Sequence, residues 1–255
     1  MSIVVKDLHF SYGSTEILHG LTFSVPSGQV TGLLGPNGAG KSTTLRMLIG
    51  LLQPSAGTVE VAGWTLPSQS FDVKQIVGYV PEAATLYETL TAQEFLELCG
   101  GLHDVDETLL RRRIDAFLEV FDLSDSRHQR LGAYSKGMRQ KVMLASALLH
   151  DPSVVILDEP LTGLDTDSAA LIKNLLTSLA AEGKTVLYSS HVLEVVERVC
   201  ASVLILHNGV VMAAGAPEDL MAQANARSLE EVFRRVTRAV DLQPRVDRML
   251  DELRR

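Results

Sequence analysis

Gly35-Pro36-Asn37-Gly38-Ala39-Gly40-Lys41-Ser42 is the segment that most narrows what this chain can fold into, because its spacing is G-x-x-x-x-G-K-[ST]. The apolar run Val30-Thr31-Gly32-Leu33-Leu34 precedes it and reads as a buried strand. The run from Ser42 and Thr43 to Gly50 follows with helical spacing and a glycine at its end. A strand, a glycine-rich loop and a helix in that order aim successive backbone N–H groups and a helix N-terminus at one point, where a polyphosphate fits. The spacing predicts that Lys41 reaches β- and γ-phosphates and that the Ser42 hydroxyl binds Mg²⁺. A chance match is about a one-percent event in a chain of this size, judged from average residue usage.

The chain has 255 residues, room for one large domain with a subdomain. Its 46% apolar content, with few aromatics, suits an α/β protein packed with Val, Leu, Ile and Ala. A formal charge of −8 and the lack of a basic stripe argue against nucleic acid as the main partner. Cys99 and Cys200 are far apart, have no metal-ligand spacing, and are expected to be reduced thiols. No apolar run approaches the roughly 20 residues of a spanning helix. The N-terminus lacks the apolar core of a signal peptide. A soluble, intracellular chain is expected, held at a membrane only if another protein holds it.

Residues 1 to about 33 alternate like short strands and predict an antiparallel β layer. Gly57–Gly63 and Ile76–Val80 read as further strands, the second stopping at Pro81. From about 88 to 150 the period becomes helical, through Phe95, Leu96, Leu110, Ile114, Leu118, Leu144 and Leu148, so a helical subdomain is expected between two sheet strands. Val154–Leu157 is apolar at every position, as a central parallel strand should be. A helix at about 167–182, the strand Thr185–Tyr188, a helix near 192–199 and the strand Val203–Leu206 continue the alternation, which predicts a parallel sheet with helices on its faces. The last forty residues read as charged helix broken at Pro244, with Val246, Leu250 and Leu253 on one face of a final turn or two.

Asp158 and Glu159 follow the buried strand directly and so stand at the carboxyl edge of the sheet, where open α/β sheets bind ligands. Asp158 is placed to hold Mg²⁺ opposite Ser42, and Glu159 to orient and deprotonate an attacking water. His191 follows Ser189-Ser190 at another strand end, within reach of a γ-phosphate, while either serine is a candidate cap for the next helix. The remaining histidines are expected to be structural.

Tyr134-Ser135-Lys136-Gly137-Met138 reads as a serine N-cap and a small glycine at an outward-pointing helix N-terminus, shortly before the acidic strand. It resembles the L-S-G-G-Q signature of ATP-binding-cassette ATPases, in a variant frequent among multidrug and antibiotic exporters whose membrane subunits are separate chains. The resemblance extends in family order to about residue 220. Tyr12 is similar to the aromatic that stacks on adenine, Gly35–Ser42 to the Walker A loop, Val154–Glu159 to the Walker B strand, Pro160–Asp165 to the D-loop and His191 to the switch histidine. Pro81-Glu82 stands where the family usually has Pro-Gln. Glutamate keeps an oxygen for Mg²⁺ but loses an amide donor.

The resemblance implies an α/β P-loop NTPase with a mixed or parallel central sheet, an N-terminal antiparallel layer and an inserted helical subdomain. It places a nucleotide-binding domain at 1–220 and a helical extension at 221–255. It implies ATP and Mg²⁺ as cofactors, Glu159, His191 and Glu82 as catalytic, and Ser42, Glu82 and Asp158 around the metal. Tyr12, Gly35 to Thr43 (Pro36, Asn37, Gly38, Ala39, Gly40, Lys41 and Ser42 between them) and Ser135, Lys136 and Gly137 would bind nucleotide. The signature residues would act on the ATP of a second copy in a head-to-tail dimer. Membrane permease subunits would be the other partners, holding the chain at the inner face of the cell membrane. A soluble cassette ATPase of DNA repair or translation, and a P-loop kinase or GTPase, are the competing classes. The chain lacks the coiled-coil insertion, zinc site or second cassette of the first class, and the Asn-Lys-x-Asp of a GTPase.

Overall fold

Alternating burial along the first two strands builds one sheet, and uninterrupted apolar runs build the other. The computed structural model describes residues 2–83 and 86–237, together with Met249 and Leu253. Strands β1 (Ile3–Tyr12) and β2 (Thr15–Val25) form an antiparallel hairpin in which Ile3 faces Val25 and Tyr12 faces Thr15. The segments Ile3–Val5 and Leu8–Tyr12 are one strand, broken by a register shift where Asp7 takes a left-handed φ of 49°. Strand β3 (Val30–Leu34) is buried at all five positions and leads through the glycine-rich loop into helix α1 (Lys41–Leu48). Strand β4 (Ala56–Val61) pairs with β1, and β5 (Trp64–Leu66) pairs with β4, completing the antiparallel sheet in the order β2-β1-β4-β5. The antiparallel layer therefore continues past the glycine-rich loop, and Val30–Leu34 belongs to the other sheet.

Helix α2 (Ser70–Ile76) and strand β6 (Val77–Val80) precede the helical segment of α3 (Ala92–Leu102), α4 (Glu107–Val120) and α5 (Lys136–Leu148). Thr91 and Glu94 form a reciprocal capping box on α3, while Asp106 caps α4 and Ser135 caps α5. The sheet resumes with β7 (Val154–Asp158), helix α6 (Thr166–Ala181), β8 (Thr185–Ser189), helix α7 (Leu193–Val199), β9 (Ser202–His207) and β10 (Val210–Gly215). Helices α8 (Pro217–Gln223) and α9 (Leu229–Val236) follow. The final helix expected around Val246 and Leu250 lies outside the described residues. The large sheet has the order β10-β9-β3-β8-β7-β6, parallel from β9 to β6, with β10 antiparallel at its edge. Among the described residues, no helix is long and apolar enough to cross a membrane.

Helix α1 lies between the two sheets. Leu45, Met47 and Leu48 share a core with Val5, Leu21 and Val59 of the small sheet and with Leu33, Ile156 and Leu187 of the large one. The opposite face of the large sheet carries the second core, which joins α5, α6 and α7 to the helical segment through Leu96, Ile114, Leu144, Leu157 and Tyr188. Glycines permit two of the close approaches. A Cβ at Gly32 would meet Val196 of α7, and one at Gly78 would collide with the Ala147 carbonyl of α5. Beyond α5, His150 stacks on His103 with ring centroids 3.8 Å apart, and burial beside His103 brings His150 down to about 4.

Gly78→Ala should therefore cost about 1–3 kcal/mol, since β6 cannot leave its pairing with β7 to relieve the overlap; a denaturant midpoint measures this. The depressed His150 implies that the unfolded chain takes up a proton near pH 6.5 that the folded chain refuses until about pH 4. Stability should fall as pH drops through that window, and His150→Phe should flatten the melting-temperature profile there.

Candidate functional site

Four adjacent parallel strands end at one cleft of about 780 Å³. Strand β3 delivers Gly35–Thr43, β8 delivers Ser190 and His191, β7 delivers Asp158 and Glu159, and β6 delivers Glu82. Tyr12 stands at the cleft 47% exposed, its ring perpendicular to that of Phe10 with centroids 4.7 Å apart. This aromatic is therefore not core. Every cleft residue expected from the strand ends is thus brought together. Ala39 is the exception within the loop: it is buried, and its N–H donates to the Pro36 carbonyl at 3.1 Å.

The loop conformation requires its glycines. Gly38 and Gly40 have φ of 81° and 103°, and a Cβ at Gly35 would run into the Leu206 carbonyl oxygen. Lys41 is only 8% exposed, and its ammonium donates to the Gly35 carbonyl at 2.7 Å. That bond ties the end of the loop to its beginning. No side chain caps α1, so its first-turn N–H groups face the cleft with anion-binding capacity to spare.

Asp158 is almost fully buried and accepts a 2.5 Å hydrogen bond from the Ser189 hydroxyl. Glu159 takes a left-handed φ of 51°, held by its N–H on the Ser189 carbonyl at 3.2 Å. Its carboxylate lies 2.8 Å from Nδ1 of His191. Burial pushes the Glu159 carboxyl above the usual carboxylate range, and the His191 hydrogen bond pulls against that shift. A carboxylate made more basic, buried and beside a phosphate loop is suited to taking a proton from water. Ser190 does not cap α7; its hydroxyl accepts from the Val192 N–H at 3.0 Å and shapes the turn that presents His191.

Ser42, Asp158 and Glu82 present hard oxygen donors to the cleft, the type that Mg²⁺ takes. Among the described residues no group of three or more His, Cys, Asp or Glu is arranged to hold a metal alone. That fits an ion bound through one or two carboxylates together with substrate phosphates.

Ser135, Lys136 and Gly137 lie outside this cleft. Ser135 is exposed and caps α5 through the Met138 N–H at 3.2 Å, and Lys136 is exposed beside it. Lys136 and Gly137 pack on the loop after Glu159. A Cβ at Gly137 would press on the Gly163 carbonyl at 2.9 Å, and one at Gly163 would press on the Lys136 methylenes at 3.0 Å. Gln140, 3% exposed, donates to the Pro160 carbonyl at 3.2 Å and fastens the signature helix to the residue after Glu159. Gln140, Ile17, Leu193 and Phe233 escaped sequence inspection, and Ser190 drew notice only as a candidate helix cap. Only the polar Gln140 among buried helix positions offered a signal.

With this geometry in view, the relatives are informative. The family described as ABC transporter matches residues 18–162. The chain is 40% identical over 214 residues to the ABC transporter ATP-binding protein NatA of Bacillus subtilis (strain 168), covering 84% of this chain and 87% of that protein. It is 39% identical over 229 residues to the Nod factor export ATP-binding protein I of Ralstonia nicotianae, covering 90% and 71%. A solved structure of an ATP binding subunit of an ABC transporter superposes with a TM-score of 0.88 at 36% identity, over 93% of this chain and all of that one.

Burying the ionised Glu159 costs stability once pH exceeds its raised pKa, because the folded state holds the proton more tightly than the unfolded state. Glu159→Gln should therefore raise the melting temperature at pH 8, which a thermal melt measures. Gln140→Ala should leave the Pro160 carbonyl without its partner and lower stability by about 1–3 kcal/mol in the same assay.

Proposed function

The chain belongs to the ABC transporter family as an ATP-binding, ATP-hydrolysing subunit, and from that premise we propose that it powers export through separate membrane permease subunits. The observation that carries the chemical part is the buried Glu159 carboxylate, 2.8 Å from His191 in the cleft of the phosphate loop. The export direction follows the Nod factor export relative and the Tyr-Ser-Lys-Gly-Met signature. A role in DNA repair or translation gains nothing from these relatives or from the acidic charge.

On this proposal residues 1–220 are the cassette, about 88–150 its helical subdomain, and 221–255 an extension. ATP occupies the cleft with its base against Tyr12 and its phosphates along Gly35–Thr43, and Ser42, Asp158 and Glu82 would hold Mg²⁺, which would supply charge neutralisation for the phosphates. Lys41 exchanges the Gly35 carbonyl for β- and γ-phosphate oxygens, a substitution of one acceptor for a charged one. Glu159 accepts a proton from the attacking water, and the water oxygen displaces ADP from the γ-phosphorus. His191 turns its donor from Glu159 toward the γ-phosphate, coupling the presence of that group to the freeing of the base. The cleft is open on one side, and Ser135 with the N-terminus of α5 is exposed elsewhere on the chain. Head-to-tail pairing of two copies brings each such helix end onto the other's nucleotide, so closure follows ATP and opening follows hydrolysis. Attachment at the inner face of the cell membrane would come through the permease.

Glu159→Gln should abolish turnover and accumulate an ATP-dependent dimer in light scattering. A variant that hydrolyses ATP at the wild-type rate defeats the assignment of the base. Lys41→Ala should weaken ATP binding at least tenfold in an equilibrium titration, about 1.4 kcal/mol of charge-assisted contact.

A further inference from the structure

Helix α9 reaches the nucleotide cleft from the C-terminal side of the chain. Phe233, in its second turn, lines the same cleft as the phosphate loop, Glu159 and His191, and Leu193 lines it too, on a helix that packs against α9. Leu193 is the first residue of α7, two positions after His191. The two helices are joined at a second point, where the Glu197 carboxylate of α7 accepts the Leu229 N–H at the start of α9, at 3.0 Å. Leu229 and Val232 are buried in the core that also takes Val196, so α9 is anchored along one side while Phe233 faces the cleft.

The arrangement has a mechanical meaning. Segment 190–193 is the short turn that aims His191, and its first helix, α7, has seven residues and no side-chain cap of its own. A turn this short is held by what packs against it. We propose that Phe233 is a positioning residue for ATP hydrolysis: through Leu193 and α7 it holds the His191 turn in register with Glu159, so that the extension after residue 220 is a working part of the catalytic cleft. This rests on the function proposed above, and it gives that extension a role inside the chain's own active site.

The test compares full-length variants by steady-state hydrolysis and by equilibrium ATP titration. Phe233→Ala should lower kcat about tenfold while leaving the ATP Kd within about twofold, since the phosphate loop and Tyr12 are untouched. Phe233→Leu, which keeps apolar volume at that position, should recover most of the rate. Glu197→Ala, which cuts the α7–α9 link without entering the cleft, should lower kcat severalfold with the same unchanged Kd. Arg234→Ala, on the exposed side of α9, should match wild type. Wild-type kcat in Phe233→Ala overturns the proposal. A loss of ATP binding in proportion to rate also overturns it, because Phe233 would then be a nucleotide-binding wall, and a rise in rate overturns it by making Phe233 an obstruction. Should Phe233→Ala fail to fold, Glu197→Ala decides alone, and wild-type kcat there defeats the proposal. A wild-type chain without ATPase activity would defeat the proposed function itself, a result distinct from all of these.

Discussion

The bond from the Lys41 ammonium to the Gly35 carbonyl sets the frame for everything else in the cleft. A lysine at 8% exposure needs an acceptor for its charge, and the loop supplies one from its own first residue. The loop is thereby tied to itself across its width. Its shape in turn requires left-handed Gly38 and Gly40, the close approach of Gly35 to β9, and α1 wedged between two sheets. The loop's shape is thus set by backbone geometry and packing.

Around that loop the parallel register fixes the chemistry. Strands β7 and β8 pair Asp158 with Ser189, so a hydroxyl from one strand orients the carboxylate of its neighbour. Just past that pair, Glu159, one residue on, meets His191, two residues on, beyond the sheet edge. Glu159, Asp158 and His191 therefore take their places from one strand alignment, and a slip of one residue would scatter all three.

Much of this was legible in the amino-acid order because burial on both faces forces an unmistakable pattern. The runs Val30–Leu34 and Val154–Leu157 could only be central strands, and the residues after them could only lie at the sheet edge. The short elements were less readable. Trp64–Leu66 and the edge strand Val210–Gly215 are too brief or too exposed to show a period, and α2 has one buried residue. The expected serine cap on α7 fails for a tertiary reason: Ser189 is engaged by Asp158 and Ser190 by the turn itself. Phe233 was invisible because its neighbours lie on other elements and nothing local marks a helix phenylalanine as facing a cleft, while Gln140 offered only its polarity among apolar helix positions.

The contact between Gly137 and Gly163 has a consequence for recombination between cassettes. The two glycines and the Lys136 methylenes leave no room for a side chain on either loop, so the signature turn and the loop after Glu159 form one moulded surface. Transplanting Tyr134–Met138 into another cassette without Pro160–Asp165 would join surfaces shaped for different neighbours. The heritable module is the pair of loops, although helix and strand separate them in the chain.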